Sequence, residues 1–218
     1  MSKFLGPIHY KMYDKIKFQD IITKNILNEE ELNKLNEKIQ PVSTEPLENI
    51  IDQENIHGFL SAMIDIVESR LSYTINNGEN IYEKAYNFAK QIAPDKLDGA
   101  QEIFESINNI ILDGMPCDHA LDATLDENNN LNLITVVDTH EKYADNPLLV
   151  DPDKSRDNTC EGGHDHDDHE SFHLKEKVAV VSDDSESDYY KLREALLKGY
   201  LEPSGHEVIR NYKNFTIK

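Results

Sequence analysis

Between Leu47 and Leu71 the apolar residues Leu47, Ile50, Ile51, Phe59, Leu60, Met63, Ile64, Val67 and Leu71 recur with a helical period. No other feature constrains the fold as much. A helix with so broad an apolar face is stable only when other elements cover that face. The chain supplies such elements on both sides. Pro7 suits the first turn of a helix, and Ile8, Met12, Ile16, Ile22 and Ile26 follow it at spacings that share one face. Leu32, Leu35 and Ile39 predict a shorter helix that ends before Pro41. Asn76-Asn77-Gly78 ends the long stripe. Asn80 and Glu83 then have the spacing of a capping box ahead of Tyr82, Tyr86, Phe88 and Ile92. A further helix is expected from about 95 to 113, with Ile103, Phe104, Ile107, Ile110 and Ile111 inward and Gly114 and Pro116 ending it.

After Pro116 the pattern changes from period 3.6 to period 2. Leu131, Leu133, Thr135 and Val137 alternate as in a strand, and residues 126–130 supply the turn of a hairpin whose first arm lies near 121–125. Lys177 to Val181 reads as another strand, 187–200 as a helix, and 206–218 as a closing hairpin around Lys213-Asn214. The expected fold class is therefore α+β: an N-terminal α-helical bundle, a small antiparallel β element and a C-terminal helix. We read residues 1–218 as one domain, with the bundle in 1–115, the β-containing part in 116–218, and an acidic, His-rich insertion at about 142–175.

Charge narrows the function classes. The net charge is −20 with only 38% hydrophobic residues, which repels phosphate backbones and anionic lipid heads. We expect no nucleic-acid or membrane partner; a basic protein surface or a cation suits this chain better. The N-terminal residues lack a hydrophobic signal core, and two cysteines, Cys117 and Cys160, are too few for a disulfide scaffold. A cytoplasmic location is expected.

Three groups of residues can carry chemistry. The densest is Cys160 to His173, which holds His164, His166, His169, Glu170 and His173, with no Lys or Arg between Asp157 and His173. Imidazole and carboxylate together suit transition metals, zinc or nickel first. His166, His169, Glu170 and His173 would share one face of a helix, and His164 and His166 one side of an extended chain. The function expected first is thus transition-metal binding for storage, sensing or a metal-dependent role. The plain alternative is a solvated acidic loop that binds metal adventitiously.

The second group is Gly114-Met115-Pro116-Cys117-Asp118-His119. Cys117 and His119 are weak candidates for catalysis, since a cysteine nucleophile needs a nearby base. Neighbours in sequence seldom face each other, so His9, His57 or His140 would be the partner. The competing reading is a helix-terminating turn in which Asp118 caps the following segment and Cys117 packs as a small hydrophobe. The third group is Glu54 and His57, with the Glu-x-x-His spacing of di-iron helices. Glu68 stands eleven residues beyond His57, about 16 Å along a helix, too far to share an ion with it. His9 with Tyr13 adds an i, i+4 pair. A small-molecule binder or enzyme with a Cys/His pocket between bundle and sheet is the second functional expectation. An acidic adaptor is the third.

Phe4-Leu5-Gly6-Pro7-Ile8-His9 and Gly114-Met115-Pro116-Cys117-Asp118 resemble segments of an uncharacterised bacterial family of small helical proteins. The resemblance covers these two stretches and implies no activity and no site residues.

Overall fold

A computed structural model describes residues 5–144 and 186–218. The helical part begins with α1 (Pro7–Ile26) and α2 (Glu29–Lys38), then α3 (Leu47–Ile50), α4 (Ile56–Asn77), α5 (Ile81–Ile92) and α6 (Ala100–Asn108). The β-hairpin β1 (Leu121–Leu125) and β2 (Leu131–Thr135) follows, and a short helix α7 (Glu141–Ala144). After the undescribed stretch come α8 (Asp188–Leu201) and the hairpin β3 (Val208–Asn211) and β4 (Asn214–Ile217). The α+β class expected from the sequence is the class observed.

The long apolar stripe is divided where the sequence alone suggested continuity. Ile51 is extended, and α4 starts only at Ile56, with the Asn55 side chain accepting from Gly58 N at 3.0 Å. An Asn able to cap the first turn competes with helix continuation. α6 is also shorter than expected, 100–108, because Gly99 carries φ +83 before it and a turn follows Asn109. Asn80 holds a left-handed φ of 53 and makes no side-chain cap, so the predicted capping box there is not formed.

α1 and α4 run side by side in the same direction: His9 meets His57, Gln19 meets Glu68 and Asp20 meets Arg70. Parallel neighbours need a crossover, and α2 and α3 provide it. Met12, Ile16, Leu60, Ile64 and Val67 fill the seam between the first halves of the two helices. Ile22, Ile26, Leu71, Ala85, Phe88 and Leu192 fill the second half, where α5 and α8 join. At Gly199 a Cβ would stand 2.1 Å from the Tyr86 carbonyl oxygen, so α5 and α8 approach as closely as they do because that position is glycine.

The four strands form one antiparallel sheet in the order β1-β2-β4-β3. Leu131 pairs with Ile217 and Leu133 with Phe215, which puts these four side chains on the buried face. With Leu197, Leu201, Ile103 and Ile107 they make a third apolar cluster. Each such side chain contributes ~1.5–3 kcal/mol on burial. The sheet thereby fixes the segments on either side of the β1–β2 hairpin against the bundle. Those two segments form the site described next.

Candidate functional site

Three walls enclose a cleft of about 550 Å³ at the junction of bundle and hairpin. The first is one face of α4, where Ser61, Ile64, Asp65 and Glu68 stand at i, i+3, i+4 and i+7. The second is the segment that leads into β1, with Gly114, Met115 and Asp118. The third is the segment that leaves β2 and enters α7, with Val137, Asp138, Thr139, Glu141, Lys142 and Tyr143.

Local chemistry shapes each wall. Gly114 has φ +70, and a Cβ there would meet Asp118 Oδ2 at 2.4 Å. Pro116 then opens a 3₁₀ turn that Asp118 caps by accepting from Met115 N at 2.7 Å. Asp118, expected to cap the segment that follows it, instead reaches back and caps its own turn. In the third wall Asp138 Oδ1 accepts from His140 N (2.9 Å) and Glu141 N (3.2 Å), an Asx turn that starts α7. Its other oxygen pairs with Lys213 Nζ at 2.8 Å. Burial pushes the Asp138 carboxyl up, but the lysine and the backbone donor hold it below the usual range. Tyr143 donates to Asp65, Lys142 reaches Asp65 at 3.2 Å, and Ser72 donates to Tyr143 O at 2.7 Å, which fastens this wall to α4. Burial and then Asp65 raise the Tyr143 phenol, so it stays neutral.

Behind the cleft lies a buried polar network centred on His140, whose residue exposure is 4%. Its Nδ1 is 3.0 Å from Glu68 Oε2, and its Nε2 is 3.2 Å from Asp113 Oδ1. The imidazole stacks on Tyr189 with centroids 3.6 Å apart and planes at 16°. Gln19 donates to the second Glu68 oxygen at 2.7 Å. Arg193 Nη2 donates to Asp113 Oδ1 at 2.6 Å, to the Tyr189 hydroxyl at 2.9 Å and to Leu112 O at 3.4 Å. Tyr189 and Arg193 are i, i+4 on α8, which explains their bond.

The charges in this network depend on one another. Burial drives His140 toward its neutral form. The Glu68 charge and the hydrogen bonds to Asp113 and Glu68 outweigh burial and the opposing Arg193, and its pKa lies above the ordinary 6.5. Burial also raises Asp113, yet Arg193 and His140 hold it well below the usual carboxylate range. Six carboxylates (Asp65, Glu68, Asp113, Asp118, Asp138 and Glu141) stand around and behind the cleft against the three cationic side chains Lys142, Lys213 and Arg193, with His140 between Glu68 and Asp113. Both His140 nitrogens face carboxylates, so neither is presented to a bound molecule, and the imidazole is not placed as a general base.

The residues named from the sequence are spread over the fold. His9 and His57 come together, rings edge-on at 5.8 Å, where α1 and α4 begin. His9 Nδ1 accepts from Gly6 N at 2.9 Å. Tyr13 donates to the Ser43 and Glu45 carbonyls. Glu54 is exposed in the turn before α4, so Glu54 and His57 do not share a helix face and the Glu-x-x-His reading is corrected. Cys117 is partly exposed on the 3₁₀ turn, and exposed His119 follows it with a left-handed φ of 47. Cys160, His164, His166, His169, Glu170 and His173 lie outside the described residues, as does the strand expected at 177–181. Among the described residues no group of three or more His, Cys, Asp or Glu is arranged to hold a metal ion. No helix among them is long and apolar enough to cross a membrane.

Asp65, Asp113, Asp138 and Arg193 were not marked by the sequence patterns. The available signal was the polar row Ser61, Asp65 and Glu68 beside the apolar stripe of α4. Comparison of the chain with family models, curated proteins and solved structures finds no match.

Proposed function

We propose that the protein is a small-molecule-binding protein whose acidic cleft takes an organic cation of the polyamine class. One observation carries this reading: five carboxylates line a cleft of about 550 Å³ that contains one lysine. The reading departs from the second functional expectation, a Cys/His pocket between bundle and sheet, because none of Cys117, His119, His9 and His57 lines this cleft. An elongated ammonium brings its own N–H donors and can bridge separated carboxylates. A metal ion needs its ligands to converge within ~2.0–2.6 Å of one point, which this set does not do.

Titration calorimetry of the full chain with spermidine tests the proposal. One saturable site is expected, weakened as ionic strength rises toward ~0.15 M and the Debye length shrinks to ~8 Å. Glu141→Gln and Asp65→Asn each weaken it. No saturable binding, or affinity unchanged in both variants, refutes the reading.

A second reading is favoured by composition. Four of the nine histidines fall between His164 and His173, among carboxylates and without basic residues. We propose transition-metal binding there, zinc or nickel first, with Cys160 and Glu170 as further ligands. Untagged protein that carries one equivalent of metal supports it. Zinc affinity no better than that of the isolated 157–175 peptide reduces the segment to a sponge.

A further inference from the structure

Among the described residues that line the cleft, Lys142 is the one cation, and it is already engaged there. Its Nζ stands 3.2 Å from Asp65 Oδ1 and 4.7 Å from the centroid of the Tyr143 ring, over the ring face. A carboxylate beside an aromatic face is the chemistry that recognises an ammonium ion. The two recognising groups are held in place. The Asp65 side chain is 14% exposed on α4, and buried Tyr143 donates to it while the Tyr143 carbonyl accepts from Ser72. The Lys142 side chain is 65% exposed. The cation is therefore the loose member of a pocket whose other members are fixed.

We infer that Asp65 and Tyr143 form the ammonium subsite of the cleft and that Lys142 is its tethered stand-in, which a ligand ammonium displaces. The inference rests on the reading of the cleft as a site for organic ammonium ions. Exchanging one primary ammonium for another balances the contacts, since the same N–H donors reach Asp65 and the same charge lies over Tyr143. The exchange needs no change of backbone. Asp138 fixes the start of α7 by accepting from His140 N and Glu141 N, and Ser72 holds its middle, so only the flexible four-carbon stem of Lys142 swings out.

This arrangement selects among ligands. A tethered rival competes at an effective concentration on the order of millimolar. A ligand with one ammonium merely replaces what Lys142 already supplies. A polyammonium has further donors for Glu68, Asp118 and Glu141, and its methylenes meet Ile64 and Val137. Lys142 is thus a specificity-determining residue that yields to the second kind of ligand before the first.

Titration calorimetry of the full wild-type chain and of Lys142→Met with spermidine tests the inference. The side chain is mostly exposed, so the variant keeps the fold. An exposed ion pair together with an exposed cation–π contact makes a competitor worth about three- to tenfold in affinity. Lys142→Met is expected to bind spermidine more tightly by that factor, and Lys142→Arg, which keeps a cation on the tether, to stay near wild type. Proton NMR of the wild-type chain separates displacement from a mere change in the field of the cleft. The Lys142 ε-methylene protons, shielded by the Tyr143 ring in the free protein, are expected to return to the position of a free lysine at saturation with spermidine, and to do so with butylammonium only at higher concentration. Three results overturn the inference while leaving the cleft a spermidine site: affinity unchanged or weaker in Lys142→Met, ε-methylene protons that keep their ring shift at saturation, or release by butylammonium as readily as by spermidine. No saturable binding in either chain overturns the inference and the reading of the cleft together.

Discussion

Arg193→Met tests whether the network behind the cleft is as desolvated as its geometry implies. The guanidinium is 4% exposed, pairs with Asp113 at 2.6 Å, and packs over the Tyr189 and Tyr190 rings. Methionine fills much of the same apolar space but leaves the Asp113 carboxylate with His140 alone. Removing one partner of a buried pair costs ~3–5 kcal/mol. The Asp113 side chain keeps 15% exposure and one further donor, so the loss should lie near the lower end of that range, about 3 kcal/mol. In a chain of this size each kcal/mol moves Tm by ~2–4 °C, so a drop of about 6–12 °C is expected in a thermal melt followed by circular dichroism. The second variant gives the sharper result. Adding Asp113→Asn removes the orphaned charge, so the double variant should be more stable than Arg193→Met alone. A single-variant loss under about 1 kcal/mol, the range of exposed pairs, would refute the reasoning. So would a double variant less stable than the single.

Gly199→Ala should destabilise the fold by roughly 1–3 kcal/mol even though alanine is the better helix former, because its Cβ meets the Tyr86 carbonyl; urea unfolding measures this. Asn28→Ala removes an N-cap that accepts from Glu31 N at 2.9 Å, and should cost about 1 kcal/mol in the same assay. Asp113 and Asp138 both sit below the ordinary carboxylate value of 3.8 in the folded chain. Their contribution is present above 3.8 and is lost as pH falls through their depressed values, so Asp138→Asn should flatten the acid limb of a stability-against-pH curve.

Much of the fold was legible because local signals agreed with one another. Pro7 did open a helix, the 126–130 turn did join two strands, and the pattern around Lys213-Asn214 did close a hairpin. The errors fell where two local preferences competed. Asn55 prefers to cap and so divided the Leu47–Leu71 stripe, and Gly99 shortened the helix expected from 95. The site was less legible. Glu68 and His140 had each been noticed, Glu68 as too far from His57 and His140 as a base for Cys117, but their partnership spans 72 residues of sequence. Period and spacing report neighbours along one element. They carry no information on which face of α8 brings Arg193 to Asp113. The histidine-dense segment dominated the sequence because composition is visible there without a fold.

The central claim is that the cleft between α4, the 114–118 turn and the 137–143 segment is where this protein binds its ligand. A backbone-amide NMR titration of the full chain with spermidine tests it most directly. Saturable shifts are expected to cluster at residues 61–68, 114–118 and 137–143. Shifts confined to residues 157–173, or spread evenly over the acidic surface, would contradict it.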